Sequence, residues 1–174
     1  MKPTTAFARL AVLTLLSLVS LAATGAAADY SLNYPYGLAV APNGNLYVAN
    51  SNANQILVYS PAHTLLKSKT ITAGISAPSG LAFDYAGNLW VANAATSNVI
   101  EYTGGGVNPG NPIPVTNPQA IAFDGVNDLW INSGFSEISV YVAYFNTLLP
   151  SVPLKGEGEY LVIGGDYRVT ASYL

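Results

Sequence analysis

The chain has 174 residues, of which 51% are hydrophobic, only 9% are charged and none is cysteine. Without cysteine there is no disulfide, no thiolate metal site, no thiol nucleophile and no lipid-anchoring cysteine. The few cations are scattered, which argues against nucleic acid and anionic lipid as partners, since phosphate binding requires clustered Lys and Arg.

Lys2 and Arg9 precede an apolar run, LAVLTLLSLVSLAA, from Leu10 to Ala23, and a small-residue stretch ends in alanines at Ala26 to Ala28. That order is the order of a secretory signal peptide. Residues 1–28 are therefore expected to be removed and the protein exported. The run falls short of the ~20 apolar residues that a spanning helix needs, so no membrane insertion is expected. Residues 29–174 carry Lys67, Lys69, Lys155 and Arg168 against nine carboxylates, a net charge of −5. They are numerous enough for one domain with its own core.

Three segments of this region repeat one another. The first starts at Pro35 (PYGLAVAPNGNLYVANSNANQILVYSPA), the second at Pro78 (PSGLAFDYAGNLWVANAATSNVIEYTGG) and the third at Pro118 (PQAIAFDGVNDLWINSGFSEISVYVAY). The prolines are 43 and 40 residues apart, and Leu38, Leu81 and Ile121 each stand eight residues before Leu46, Leu89 and Leu129. Each unit predicts strand, turn, strand, turn, strand. GLAV, GLAFD and AIAFD are short β-type runs, followed by turns in which Gly44 and Gly87 suit positive φ. NLYVAN, NLWVAN and DLWIN form the next strands, then QILVYS, NVIEYT and EISVYV. Nearly continuous apolar runs of this kind belong to sheets covered on both faces. Weaker fourth strands are expected in HTLLKSKTIT, VNPGNPIPV and NTLLPSVPL, where proline restricts the last two to sheet edges. A period near 40 with four strands per unit is that of a β-propeller.

The residues P-Y-G-L-A-V, G-N-L-Y-V-A-N and Q-I-L-V-Y, with their counterparts in the other two units, resemble the NHL repeat. The pattern is shared in looser form by gluconolactonase-like and streptogramin lyase propellers. The resemblance implies an all-β fold of propeller blades near 35–77, 78–117 and 118–154, with a partial blade at 155–174. It departs from the family where the usual Asp is replaced by Asn50, Asn93 and Asn132, and the usual Arg by Gln55, Asn98 and Glu137. The third unit reads one residue short, W-I-N in place of W-V-A-N.

Candidate chemistry is sparse. The positions that hold metal in gluconolactonase-like propellers read Tyr36, Ser79 and Gln119 here, so no metal or other cofactor is expected. The lone histidine, His63, falls in a connecting segment. Asp84 and Asp124 open hairpin turns, which Asp side chains cap. Tyr47, Trp90 and Trp130 recur in register as packing residues. The polar bridges between the second and third strands carry the remaining candidates for ligand contact: Asn50, Asn52, Asn54, Asn93, Asn98, Asn132 and Glu137.

Catalysis needs titratable groups held together with tuned pKa, and no such constellation emerges. The expected role is therefore a secreted, non-catalytic module that binds a protein or glycan. The alternative is a lactonase- or lyase-like enzyme whose site is completed by further blades or a second chain. Blade count bears on both. A bare four-stranded face of roughly 300 Å² forgoes about 7 kcal/mol of burial, a large part of a domain's ~5–15 kcal/mol. Three arrangements remove the bare faces: two chains closing one ring, a four-bladed ring that uses the tail, or further blades in a longer protein.

Overall fold

The computed structural model describes residues 30–104, 106, 108–134, 137–142, 147–149, 152–153, 160–163 and 169–172. The expected leader lies outside the described residues. Three antiparallel sheets follow one another, one from each unit. Blade 1 is β1 (Pro35–Val40), β2 (Leu46–Asn50) and β3 (Gln55–Tyr59). Blade 2 is β4 (Pro78–Phe83), β5 (Leu89–Asn93) and β6 (Asn98–Thr103), with β7 (Asn108–Pro109) and β8 (Ile113–Pro114) both paired to β6. Blade 3 repeats this with β9 (Pro118–Phe123), β10 (Leu129–Ser133), β11 (Glu137–Val142), β12 (Thr147–Leu148) and β13 (Val152–Pro153).

The outer strands are broken for a visible reason. Proline donates no ladder hydrogen bond, so blades 2 and 3 end in two-residue pieces, three of the four carrying a proline. In blade 1 the corresponding segment makes only the bridges Tyr59↔Leu65 and Ile56↔Ile71, with a 3-10 turn at Lys67–Lys69 between them. Gly44 and Gly87 both take φ of +81° in the tight turns between first and second strands, a conformation that disfavours any side chain with a Cβ.

Strand alternation gives every blade two faces, and the pairing register makes them equivalent. One face carries Leu38, Leu46 and Tyr59 in blade 1, Leu81, Leu89 and Tyr102 in blade 2, and Ile121, Leu129 and Tyr141 in blade 3. The opposite face carries Tyr47 with Val58, Trp90 with Glu101, and Trp130 with Val140. The first face of blade 2 packs on the second face of blade 1 around Tyr47, Ile56, Leu81 and Leu89. The first face of blade 3 packs on blade 2 in the same way around Trp90, Val99, Ile121 and Leu129. The ring contacts repeat too: Tyr47 meets Phe83 edge-on at 5.1 Å, and Trp90 meets Phe123 at 5.7 Å.

At the inner edge β1 lies against β4, and β4 against β9. The approach is close enough that a Cβ on Gly37 would collide with the Ser79 carbonyl. One on Gly80 would come within 2.9 Å of the Gln119 carbonyl. The hairpin of β14 (Tyr160–Ile163) and β15 (Val169–Ser172) continues this order, because β14 lies against β9 and β10 as β9 lies against β4 and β5. The tail thus holds the place of the two inner strands of a fourth blade.

Candidate functional site

The asparagines of the polar bridges divide once their partners are seen. Asn50 is fully buried; its Oδ1 accepts from Asn33 N at 2.6 Å, and its Nδ2 donates to the Ser31 carbonyl at 2.8 Å. Asn93 is equally buried and does the same one blade later, accepting from Ser76 N and donating to the Gly74 carbonyl, both at 3.0 Å. Each amide therefore clamps the segment that enters its blade. Asn93 also donates to Asn98 Oδ1 at 3.1 Å. Asn54 stands at φ +50° and accepts from Ala77 N at 2.7 Å, tying one blade to the next. Asn52 is exposed, and Glu137 is exposed at the start of β11.

Asn132 is not the third member of that series. In the ladder, Ser133 opposes Pro118 and Glu137 as Asn50 opposes Pro35 and Gln55. Asn132 corresponds to Ala49 and Ala92 and is buried. The third unit is short in the turn after β10, not in the strand, so matching W-I-N to W-V-A-N displaces the register by one.

Asp84 and Asp124 cap their turns as expected. Asp84 Oδ1 accepts from Asn88 N at 2.8 Å, and Asp124 Oδ1 accepts from Val126 N and Asp128 N at 3.0 and 2.9 Å. Their second oxygens accept the indole N–H of Trp90 at 3.2 Å and of Trp130 at 2.9 Å. Burial alone would raise the Asp124 carboxyl, but Trp130 and the two backbone donors outweigh it and hold it below the usual range. Sequence reasoning missed this pairing. Its signal was present, since Asp and Trp occur together six residues apart in units two and three while Ala41 and Tyr47 replace both in unit one.

Tyr36, Ser79 and Gln119 come together beside Gly37, Gly80 and Ala120 along an axial groove of about 250 Å³. Ser79 Oγ donates to the Pro118 and Ala92 carbonyls at 2.8 and 3.3 Å, and Gln119 Nε2 donates to Asn117 Oδ1 at 2.8 Å. Among the described residues no three of His, Cys, Asp or Glu are grouped to hold a metal. His63 sits exposed in a turn at φ +58°.

The first face of blade 1 is open among the described residues. Leu38 and Val40 are 62% and 65% exposed, whereas Leu81 and Ile121, the counterparts of Leu38, are each 6% exposed. Leu32 and Tyr36 extend the patch over a groove of about 500 Å³ that reaches Leu46, Tyr59 and His63.

The NHL repeat model matches residues 32–59. The first blade is an NHL repeat. Solved structures share its fold across most of the chain. Hydrazine synthase from Kuenenia stuttgartiensis superposes with a TM-score of 0.68 at 16% identity, over 83% of this chain and 43% of that one. Virginiamycin B lyase from Staphylococcus aureus gives 0.65 at 16% identity, over 81% and 49%. A gluconolactonase from Xanthomonas campestris gives 0.63 at 18%, over 83% and 57%. At such identities the likeness is one of fold, and the chain spans about half the length of these proteins. A second family model, that of dinitrogenase reductase ADP-ribosyltransferase, matches residues 136–171. The chain is also 79% identical over 33 residues to the NAD(+)–dinitrogen-reductase ADP-D-ribosyltransferase of Rhodospirillum rubrum, covering 19% of this chain and 12% of that enzyme. The family-model match begins between β10 and β11 of the third blade and runs into the tail hairpin.

Proposed function

We propose that the chain is an exported NHL-type propeller segment that acts by binding protein, not by catalysis, and that its first docking partner is a second copy of itself. The observation that carries this is the open face of blade 1. It displays at Leu38, Leu46 and Tyr59 the residue set that blades 2 and 3 bury against their neighbours. Continuity with those two internal interfaces is the reason for expecting a blade-like surface on it. A second copy supplies one when the outer face of its last blade packs here, so that two chains close one ring about a two-fold axis, the commonest symmetry of soluble assemblies. The exposed turns that carry Asn52 and Asn54 would then remain free at the loop end for a further protein or glycan.

The chain lacks cysteine, which makes the test direct. A Leu38→Cys variant should react with a maleimide far more slowly than an Ala95→Cys control on an exposed turn, with protection that grows with protein concentration. Equal rates at all concentrations would overturn the proposal. The enzymatic alternative rests on the fold shared with a lactonase and a lyase, and it would place chemistry in the axial groove beside Tyr36, Ser79 and Gln119. Turnover of a simple lactone that is lost on Ser79→Ala would favour it.

A further inference from the structure

Position 101 breaks the rule of its own repeat. The residue opposite the aromatic of the second strand faces the next blade, and it is Val58 in blade 1 and Val140 in blade 3 but Glu101 in blade 2. Val58 is fully buried in its core, so an apolar side chain is what the packing favours there. Glu101 instead borders a cavity of about 390 Å³ at the junction of blades 2 and 3, lined also by Trp90, Ile113, Pro114, Tyr141 and Leu148. That volume falls within the ~300–1,000 Å³ typical of small-ligand sites. Trp90 and Tyr141 meet at 5.5 Å between ring centroids on its wall.

Asn88 Nδ2 donates to Glu101 Oε1 at 2.8 Å and also to Asp84 Oδ2 at 3.0 Å, so one amide bridges two acids. Burial, followed by the nearby charge of Asp84, raises the Glu101 carboxyl above its usual range, and among the described residues no cation offsets them. A local departure from the repeat with no packing benefit is the mark of a functional position.

We propose that this cavity binds a primary ammonium group on an apolar stem, the chemistry of a lysine side chain, with Glu101 pairing the cation and Trp90, Tyr141 and Leu148 flanking the stem. Charge-assisted pairing in a partly desolvated site supplies the specificity, and apolar walls suit the methylene stem.

The chain has two tryptophans, so two indole N–H signals report on the site by NMR, assigned with a Trp130→Phe variant. Titration at constant ionic strength with n-butylammonium and with Nα-acetyl-lysine N-methylamide should move the Trp90 signal saturably and leave Trp130 in place, while n-butanol moves neither. Tighter binding of the lysine amide would assign a polypeptide ligand, and equal binding a free amine. Glu101→Gln should weaken binding about tenfold or more, the scale of one lost charge-assisted bond. Glu101→Val should abolish binding yet melt higher than the parent chain, as the valines of the other blades imply. An unmoved Trp90 signal, equal binding by Glu101→Gln, or a lower melting temperature for Glu101→Val would each overturn the proposal.

Discussion

The indole N–H of Trp130 is donated to Asp124 Oδ2 across 2.9 Å, while Asp124 Oδ1 holds the turn through two backbone amides. One carboxylate thus fastens the turn to the sheet face that its blade presents to the next. Asp124→Ala removes all three bonds and leaves a half-buried indole N–H without its acceptor. The expected loss is about 2–3 kcal/mol, read from chemical denaturation followed by tryptophan fluorescence. A change within about 0.5 kcal/mol, the level of an ordinary surface substitution, would show that the turn does not depend on this acid.

Asp124 and Glu101 titrate with opposite consequences. Asp124 is held low in the fold, so its contribution is present at neutral pH and is lost as pH falls through its depressed value. Glu101 is raised, so its contribution is present below the ordinary carboxylate range and is lost as pH rises through its raised value. Glu101→Gln should therefore gain stability relative to the parent chain as pH rises above the ordinary carboxylate range. Asp124→Asn should reduce the stability lost on acidification. Melting temperatures of the three proteins across the acid range give the comparison, and parallel curves for all three would refute it.

Gly37 and Gly80 mark where inner strands nearly touch. Alanine at either position forces neighbouring backbone to move, with an expected cost of about 1–3 kcal/mol and the larger effect at Gly37. The third unit carries Ala120 at the corresponding place, so Ala120→Gly should change stability by less than either. Urea midpoints of the three variants check the order.

Asn93 clamps the entry to blade 2 with an acceptor and a donor. Asn93→Asp keeps the acceptor but turns the donor into a buried negative charge facing the Gly74 carbonyl. It should destabilise the fold at neutral pH and recover in part on acidification, when the protonated acid can donate again. Destabilisation that does not vary with pH would contradict this account of the clamp.

The units, their strands and the turn glycines at Gly44 and Gly87 were legible because apolar period and turn chemistry act over a few residues. The broken outer strands were legible too, since proline imposes them locally. Three features were not. Asn50 and Asn93 look like members of a polar loop until their partners, 17 and 19 residues earlier in the chain, are placed beside them. The displacement of Asn132 by one position is invisible without the ladder, because the sequence does not say whether strand or turn lost the residue. The tail carries a match to an ADP-ribosyltransferase model, yet its hairpin lies in fourth-blade position, a relation set by packing on β9 and β10.

The open face that bears Leu38 and Val40 is the surface proposed to be covered by a second copy. Light scattering on a sizing column tests that coverage most directly, applied to the chain without residues 1–28 and to its Leu38→Asp variant. Twice the chain mass is expected for the parent and a folded single chain for Leu38→Asp. A well-folded parent that elutes as a single chain at every concentration would contradict it.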